Sequence, residues 1–418
     1  MSSLKINNIN RYWLYVEPYC FIFTESNKVL VYNTLSYSKD EKILSERLNK
    51  IITELKSTKN LYCTEVSKSD LEDISIKSFI NALIENYSGD LVDASLSNTK
   101  PAIMLPELKL QGQLKDLKKM KNISNGSNIL TYLTDILLQI NGECQNDCKY
   151  CKTAYKQTVF CTKNSQELDI QAINKVIYQI EGTNIRNINI TGGNIFYYSE
   201  LKKLISLLND TECNINYHIH YKNVVNNIEN ISWFKNSNSS LTIKVDFPLN
   251  EAKIKNVSSV LKSEMVNFSW HFLIASIIEY EKCEAICANY NLENIEISPI
   301  IDDNIGFFEE YIYLNKEDIY DVKDSRKDIF AKSILNLNHF GKFIIMSDKH
   351  VYANINNKKI GTIEQSFSEL VQIELSDGKS WLSYRNKEPC TDCVYQFLCP
   401  SPSNYELLLD KPNLCRIK

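Results

Sequence analysis

The residues with the clearest chemical potential are three cysteines in one short loop: Cys144, Cys148 and Cys151. Their spacing, CxxxCxxC, lets three thiolates hold three irons of a cubic [4Fe–4S] cluster and leaves the fourth iron without a protein ligand. An open iron can accept a chelating cofactor, in the way that catalytic zinc keeps an open coordination position. Tyr150, directly before the last cysteine, is placed to pack its ring against an adenine. A three-cysteine zinc site is the alternative that this spacing leaves open.

A second group of cysteines lies near the end of the chain and has four members: Cys390, Cys393, Cys399 and Cys415. Four thiolates can complete the ligand set of a [4Fe–4S] cluster or of a zinc ion. Scattered cysteines are mostly small buried hydrophobes, and this is the ordinary role for the other six of the 13. Those six are Cys20, Cys63, Cys161, Cys213, Cys283 and Cys287.

Histidines offer a less specific metal signal. His218 and His220 lie two apart on a predicted strand and therefore face the same side of it. They can bind a metal, but a hydrogen-bonded histidine is the commoner case, as it is for His271. Cys283 and Cys287 are neighbours at helical spacing, and two thiols are too few for a cluster.

The composition is that of an ordinary globular protein, with 418 residues of which 44% are hydrophobic and 23% charged. Lys and Arg number 47 against 51 for Asp and Glu, so a nucleic-acid partner has no electrostatic basis. The N-terminal residues lack the apolar core of a secretory signal, and no apolar run is long enough to span a membrane. We therefore expect a cytoplasmic protein with no membrane partner. In a reducing cytosol, clustered cysteines are more often metal ligands or catalytic thiols than disulfides.

Two β-rich runs, Tyr19–Thr24 and Val29–Asn33, predict a hairpin near the N-terminus. Residues 111–128 are polar and rich in lysine, which predicts a linker. Between the two, apolar residues at helical spacing predict two helices. The first runs through Ile43, Leu44, Leu48, Ile51, Ile52 and Leu55, and the second through Ile76, Phe79, Ile80, Leu83 and Ile84. We expect a small α+β domain over residues 1–125.

From residue 129 onward, predicted strands and helices alternate. The strands are Ile136–Ile140, Ile188–Thr191, Ile215–His220, Leu241–Asp246, Ser269–Ala275 and Ile295–Pro299, and the helices are Ile170–Ile180, Glu200–Leu208 and Tyr280–Tyr290. Repeated βα units predict an α/β domain over residues 129–310, with a parallel sheet or partial barrel whose chemistry lies at the C-terminal ends of the strands. A connective helical stretch over 316–338 leads to a cysteine-rich domain over 335–418.

The cysteine loop, its position after the first strand and Tyr150 resemble the radical S-adenosylmethionine superfamily. The resemblance implies a partial (β/α)6 barrel in which the open iron binds the methionine end of S-adenosylmethionine. It also implies an external electron donor, because the reduced cluster must cleave this cofactor to the 5′-deoxyadenosyl radical that abstracts hydrogen from the substrate. Cys161 is then a candidate to donate a hydrogen atom to a substrate radical, although a packed thiol is the commoner role.

Two further stretches resemble this superfamily but differ from its pattern at individual positions. Gly192 and Gly193 end the second predicted strand, where the family has a Gly-Gly-Glu-Pro stretch against the methionine amino group. Asn194 and Ile195 replace the last two residues here, and asparagine accepts a hydrogen bond without bringing a charge. A glycine turn that merely closes the strand is the alternative. Asp246, at the end of the fourth strand, resembles the residue on the family's ribose side.

The tail cysteines resemble the SPASM extension of enzymes that modify ribosomal peptides, where these four positions hold an auxiliary cluster. Ser403, Ala353 and Asn354 stand where further cysteine ligands would fall, so we expect the first auxiliary cluster to be absent. The resemblance thus implies two [4Fe–4S] clusters and S-adenosyl-L-methionine as cofactors. Zinc remains the alternative at the tail.

The N-terminal segment resembles the small winged-helix domain that captures a leader peptide by adding it to a sheet edge. Together these features imply a maturase that modifies a ribosomally synthesised precursor peptide by hydrogen abstraction. The tail also resembles a Bacteroidetes group that includes pseudo-radical proteins. With the altered glycine stretch, this leaves a second function open: a non-catalytic iron–sulfur protein that binds leader peptide and scaffolds a sister maturase.

Overall fold

The computed structural model describes residues 11–96, 99–101, 126–181 and 183–417. In its N-terminal part the elements are, in chain order, β1 (Arg11–Val16), β2 (Cys20–Thr24), β3 (Lys28–Asn33), β4 (Lys39–Ile43), α1 (Glu46–Lys56), β5 (Cys63–Ser67), α2 (Ile74–Glu85) and β6 (Gly89–Asp93). The strands form two antiparallel three-stranded sheets, ordered β5–β1–β6 and β2–β3–β4. The two helices share one buried core with both sheets.

The predicted hairpin is confirmed as β2 and β3, which pair in antiparallel fashion. The first predicted helix begins later than expected, because the Ser45 side chain accepts a hydrogen bond from Leu48 N–H and caps α1. Ile43 instead belongs to β4, whose charged sequence KDEKI gives no strand signal because it forms a solvent-facing sheet edge. Most of the predicted linker at 111–128 lies outside the described residues.

The central part alternates strands and helices, and its six strands pair in chain order, all parallel. The strands are β7 (Asp135–Gln139), β8 (Asn187–Thr191), β9 (Asn214–His220), β10 (Ser239–Val245), β11 (Phe268–Ile274) and β12 (Ile295–Pro299), and each lies within two residues of its predicted bounds. The helices are α3 (Ile170–Ile180), α4 (Leu201–Asn209), α5 (Tyr221–Val225), α6 (Glu251–Ser263) and α7 (Ile277–Asn289). Of these helices, α5 and α6 were not predicted.

Shorter turns complete this region. They are the 3₁₀ helices Gly126–Tyr132, Ala154–Lys156, Ile195–Tyr197 and Ile228–Phe234, and the helical turns Ile305–Phe307 and Phe308–Ile312.

The two faces of this parallel sheet differ in chemistry, because alternate residues of a strand point to opposite sides. One face is apolar and packs with the helices into the main core through residues such as Ile188, Ile219 and Ile243. The other face, which we call the polar face, carries Asn187, Asn189, Asn216, His218, His220, Thr242, Lys244, Ser269, His271 and Ser298. Parallel strands buried on both sides normally read as continuous apolar runs. The polar face therefore indicates a surface that binds a ligand rather than one that only packs against helices.

The tail returns to the same sheet after α8 (Lys316–Asp321) and α9 (Arg326–Lys332). Strand β13 (Lys342–Ile345) pairs in parallel with β7, and β14 (His350–Tyr352) and β15 (Gly361–Thr362) extend the sheet to nine strands. Helix α10 (Phe367–Asp377) joins the main core, as does Trp381, whose ring centroid lies 5.3 Å from that of Phe343. The 3₁₀ turn Cys390–Asp392 and α11 (Asn404–Leu409) follow.

The N-terminal part contacts the tail through a separate buried core. Phe21, Leu30 and Tyr32 from β2 and β3 pack there against residues that precede or belong to the cysteine-rich tail: Ile319, Ile329, Val394, Tyr395 and Leu398. Tyr32 Oη donates to the Asp324 carbonyl oxygen at 2.6 Å. These contacts hold the N-terminal hairpin beside the tail cysteines. Among the described helices, none combines the length and apolar character needed to cross a membrane.

Candidate functional site

The loop with Cys144, Cys148 and Cys151 leaves the C-terminal end of β7, the edge at which the sequence predicts chemistry. Cys148 is buried, and the other two thiols are partly exposed. Burial raises the pKa of Cys148 to about 12, with the nearby Asp246 carboxylate and the other two thiols adding to the rise and Lys222 opposing it. Burial also raises the pKa of Cys151. A metal that binds here must displace thiol protons, so its affinity will rise with pH.

The spacing of the donor atoms differs among the groups of metal-ligating side chains. Among the described residues, only Cys148, His220 and Asp246 form a group of three metal-ligating side chains whose donor atoms all lie within 4.8 Å of one another. The three loop sulfurs do not meet this limit, and neither do any three tail sulfurs. Tetrahedral zinc, with Zn–S bonds near 2.3 Å, holds its sulfurs about 3.8 Å apart. In a four-iron cube each thiolate binds a different iron, so the sulfurs lie further apart. The loop and tail sulfurs of the described residues are thus spread more widely than the sulfurs of one tetrahedral zinc ion, whereas Cys148, His220 and Asp246 lie close enough together to share one metal ion.

His220 and Asp246 form a buried pair beside the loop. His220 Nε2 lies 2.9 Å from Asp246 Oδ1 and 3.6 Å from Cys148 Sγ. Burial alone would raise the pKa of Asp246, but the hydrogen bond with His220 and the charges of His220 and Lys222 outweigh it and hold this pKa below its usual value. The sequence places Asp246 near the cofactor and gives two roles for His220, a metal ligand or, more commonly, a hydrogen-bonded histidine. The structure shows the hydrogen bond, to Asp246, because the two residues lie at the ends of neighbouring parallel strands.

The glycine turn after β8 is bound to the cysteine loop through the backbone. Gly193 N–H donates to the Asn141 carbonyl oxygen at 2.9 Å, and Asn194 N–H donates to the Glu143 carbonyl oxygen at 2.6 Å. A Cβ atom on Gly193 would overlap the backbone of Gly142 and Glu143, so glycine is required for this close approach. The turn and the cysteine loop therefore form one structural unit.

Two asparagines in this unit have different hydrogen-bonding states. Asn194 Oδ1 accepts from Phe196 N–H at 3.2 Å and caps the short helix that follows, so this side chain already has a structural partner. Asn141 Oδ1, next to Gly192, is a buried acceptor without a hydrogen-bond partner. A buried acceptor without a donor is costly, and an ammonium group bound beside Gly192 would satisfy it.

Tyr150 and Cys161 lie together in a small buried cluster at the C-terminal ends of β11 and β12, with Leu273, Ala275 and Ile300. The Tyr150 side chain is fully buried, and Lys149 Nζ lies 3.3 Å from its hydroxyl. Burial raises the pKa of Cys161 well above its ordinary value, and the three loop thiols add to the rise. At neutral pH Cys161 is therefore a protonated thiol next to the cysteine loop.

A cavity of about 640 Å³ opens beside the loop and is lined by Cys148, Cys151, Asp246 and four lysines, Lys149, Lys152, Lys163 and Lys222. Its volume is typical of a site for a small molecule or cofactor. The lysines give it a positive lining, which favours a ligand with a carboxylate.

The four tail cysteines surround a cavity of about 720 Å³, which is also lined by Glu25 and Lys28 of the N-terminal hairpin. Cys390 is buried and the other three are partly exposed. Burial raises the pKa of Cys399 to about 12, while the charge of Arg385 acts in the opposite direction.

Arg385 is the polar residue at the tail site that sequence reasoning missed. Its Nη2 lies 2.8 Å from Glu406 Oε1 and its Nε donates to the Pro400 carbonyl oxygen, whereas its buried Nη1 has no partner. Asn413 Nδ2 donates to Cys390 Sγ at 3.4 Å. An unpaired N–H donor beside four thiols suits a cluster with inorganic sulfides, which accept such hydrogen bonds.

The residues expected to replace further cysteine ligands have protein partners. Asn354 Nδ2 lies 2.9 Å from His339 Nε2 and donates to Asn404 Oδ1 at 2.8 Å. Ser403 caps α11 together with Glu406 in a reciprocal capping box.

Comparison with known proteins finds distant similarities. No protein-family model matches the sequence. A 7-carboxy-7-deazaguanine synthase of Clostridium acetobutylicum is 22% identical over 181 residues, covering 42% of this chain and 77% of that protein. Streptococcus suis SuiB bound to S-adenosylmethionine superposes with a TM-score of 0.49 and 13% identity, covering 96% of this chain and 98% of SuiB.

Two further solved structures are similar at the same level. SuiB bound to its precursor peptide SuiA gives a TM-score of 0.48 and 12% identity, over 96% of this chain and 98% of SuiB. The protein anSMEcpe with bound AdoMet and the Cp18Cys peptide gives a TM-score of 0.46 and 13% identity, over 64% of this chain and 87% of anSMEcpe. Similarities this distant carry no information about the reaction, so the chemistry must be inferred from the residues of this chain.

Proposed function

We propose that this protein is a radical S-adenosylmethionine enzyme with two [4Fe–4S] clusters that modifies a ribosomally synthesised precursor peptide. The observation that carries the proposal is the cysteine loop at the strand ends. It leaves the C-terminal end of β7 and adjoins a lysine-lined cavity of small-molecule size. A three-cysteine loop leaves one iron of a cube open, which is the requirement for a chelating cofactor.

In this proposal Cys144, Cys148 and Cys151 hold the first cluster. Asn141 Oδ1 accepts a hydrogen bond from the amino group of S-adenosylmethionine, which would satisfy its unpaired lone pairs. Asp246, kept ionised by its hydrogen bond with His220, accepts hydrogen bonds from the ribose hydroxyls.

When bound, the reduced cluster and S-adenosylmethionine supply a carbon-centred radical that can abstract hydrogen from an unactivated carbon. Tyr150 and its buried neighbours close the site from water at the ends of β11 and β12. Cys161 holds its hydrogen at neutral pH, because burial keeps the thiol protonated. We propose that it gives a hydrogen atom to a carbon-centred substrate radical, and that the external electron donor then reduces the resulting thiyl radical, with uptake of one proton, back to the thiol.

The edge of β6 supports the assignment of a peptide partner. Glu17 N–H bonds to the Ser88 carbonyl oxygen and Ala94 N–H to that of Arg11, which fixes the hydrogen-bonding alternation between β1 and β6. In this alternation the N–H and C=O groups of Leu91 point away from β1. Among the described residues no strand covers this edge, and Leu91 N–H bonds only to the neighbouring Asp90 carboxylate. We propose that the leader peptide adds to the sheet here.

The cluster loop can be tested by replacing Cys144, Cys148 and Cys151 together with alanine. Anaerobically reconstituted wild-type protein should hold roughly eight irons, and the triple variant roughly four, because the tail site keeps its ligands. With dithionite and S-adenosylmethionine, only the wild-type protein should release 5′-deoxyadenosine. Cys287→Ala, on α7 and distant in sequence from both groups, is the control and should match the wild-type protein in both measurements.

The same experiment separates the enzyme from a non-catalytic scaffold. The scaffold is favoured by Asn194, whose side-chain oxygen caps a helix and brings no charge to the cofactor. If the wild-type protein assembles both clusters but never cleaves S-adenosylmethionine, with or without its peptide, the scaffold replaces the enzyme. Stoichiometric zinc in a colourless protein would exclude both functions.

A further inference from the structure

Arg385 is a buried guanidinium at the tail cavity that keeps one N–H donor unused. Its Nε donates to the Pro400 carbonyl oxygen at 2.7 Å, and its Nη2 lies 2.8 Å from Glu406 Oε1. These two bonds fix the plane of the guanidinium, because its N–H groups form one rigid fork. Nη1 is closed off from solvent and has no hydrogen-bond partner among the described residues. A buried donor without an acceptor is costly, so this end of the fork calls for a ligand.

The missing ligand is one that accepts a hydrogen bond, because the charge of Arg385 is already balanced. Glu406 pairs with the guanidinium, and both side chains are only 6% exposed. The Glu406 carboxylate bonds to Nη2 on one side and to Ser403 in the cap of α11 on the other, so it does not serve Nη1. The pair as a whole is neutral, and Nη1 remains as a local donor.

The position of Arg385 points to sulfur as the acceptor. Arg385 lines the cavity of about 720 Å³ together with the four tail cysteines. Burial raises the pKa of the Cys399 thiol, and among the charged groups that act on this pKa the guanidinium of Arg385 has the largest effect, so the two are close. The same site already supplies one N–H to a sulfur, since Asn413 Nδ2 donates to Cys390 Sγ at 3.4 Å.

We propose that Arg385 Nη1 donates a hydrogen bond to a sulfur of the [4Fe–4S] cluster held by the tail cysteines and thereby raises the reduction potential of that cluster. The inference rests on the proposed function, which assigns the cluster to this site. The potential of a cluster depends on its net charge and on hydrogen bonds to its sulfurs. An added electron makes the sulfurs more negative, so the donor stabilises the reduced cluster more than the oxidised one.

The test is a redox titration of full-length protein in which Cys144, Cys148 and Cys151 are alanine, so that only the tail cluster takes an electron from dithionite. In this parent protein the decisive variant combines Arg385→Met with Glu406→Gln, which removes the donor without changing the net charge. Loss of both partners of a buried ion pair is tolerated better than loss of one. Reduction should become about tenfold less favourable, a fall of about 59 mV in the midpoint potential for one electron. Iron and sulfide analysis shows that the cluster is present.

Two further variants serve as controls. Glu406→Gln alone breaks the same ion pair but keeps the donor and leaves the guanidinium charge uncompensated, so the potential should rise. Structural damage would shift the potential of both variants in the same direction. Lys28→Met removes a cation that lines the same cavity, but this lysine is 26% exposed and lies 3.8 Å from the Glu41 carboxylate. Water and pairing screen its charge, so its removal should leave the potential near that of the parent.

An unchanged potential in the double variant would overturn the inference. So would a shift in the same direction in Glu406→Gln, or a shift of the same size in Lys28→Met. If the double variant holds no tail iron, Glu406→Gln decides: a raised potential supports the donor, and any other result overturns it. Zinc without iron at the tail of the parent would contradict the proposed function as well. Conversely, wild-type protein that assembles both clusters but never cleaves S-adenosylmethionine leaves the role of Arg385 intact and contradicts only the enzyme.

Discussion

Gly193 links the two loops of the proposed cluster site at the level of a single residue. A Cβ atom there would overlap backbone atoms of Gly142 and Glu143, which cannot rotate away as a flexible side chain can. Gly193→Ala should therefore displace the cysteine loop, lower the free energy of unfolding by about 1–3 kcal/mol and reduce the iron content of the first site. Iron analysis and thermal unfolding measure both effects.

Gly306→Ala is the matched control for this substitution. A Cβ atom on Gly306 would meet no heavy atom within 4 Å, so the iron content should remain that of the wild-type protein. A Gly193→Ala variant with full iron at both sites would contradict the proposed coupling of the two loops.

Lys244 should make stability depend on pH. Burial lowers the pKa of Lys244 to about 7, against the smaller opposing influence of Glu296 and Cys161. Between this value and the ordinary lysine pKa the unfolded chain binds more protons than the folded one, so stability rises with pH through this window. Lys244→Met removes the penalty and should be more stable than wild type by about 4 kcal/mol near pH 7, with the difference shrinking as the pH approaches 10.

Urea unfolding of wild type and variant at both ends of this window provides the measurement. His218 and His271 face the same lysine, but burial and the lysine charge lower the pKa of both, so they titrate below the window. Cys161 is common to both proteins, and its titration cancels in the difference. A difference in stability that stays constant with pH would show that Lys244 does not titrate as described.

Strands β5 and β6 are the two edges of the β5–β1–β6 sheet, and substitutions in them can test where the leader peptide binds. Leu91→Pro removes the outward N–H of β6, to which an added strand would bond. We expect precursor binding to weaken about tenfold or more, since each lost backbone hydrogen bond in an interface costs about 1–3 kcal/mol. Fluorescence anisotropy with a labelled leader, taken from a short reading frame near the gene, provides the measurement.

Glu65→Pro on β5 is the matched control at the opposite edge of the same sheet. The bond from Val16 N–H to the Tyr62 carbonyl oxygen sets the alternation there, so Glu65 N–H also points outward. This edge is already occupied at Cys63, whose carbonyl oxygen accepts from Lys100 Nζ. Loss of leader binding in this variant alone would move the docking edge from β6 to β5.

The tail and the N-terminal hairpin are distant in the chain, and together they line the cavity at the tail cysteines. Lys316 Nζ lies 2.7 Å from Glu41 Oε2, and Tyr395, within the tail cysteine group, donates to the same carboxylate. The pKa of Glu41 is lowered, because hydrogen bonds from Lys316 and Tyr395 outweigh its burial. The docking of the hairpin therefore depends on an ionised glutamate next to the tail cavity.

The domain boundaries remain predictions, at residues 125, 129, 310 and 335. β13 joins the central sheet beside β7, so the start of the tail is continuous with the central part in hydrogen bonding. Trp381 likewise packs in the main core rather than in a core of the tail alone. The tail cysteines are thereby held at a fixed position relative to the cysteine loop.

Features that depend on the local pattern of residues could be predicted from the sequence. The cysteine spacings, the six parallel strands and the α3 helix could be predicted because chain neighbours and periodic burial encode them. The charged β4 strand and the late start of α1 were missed, since an edge strand has no apolar periodicity and a serine cap overrides it. Contacts between residues far apart in the chain became known only from the fold. His220 beside Cys148, Arg385 among the tail thiols, and Lys244 against His271 depend on strand register and on the return of the tail. The local pattern of one sequence does not indicate contacts between residues far apart in the chain, because only folding brings those residues within hydrogen-bonding distance.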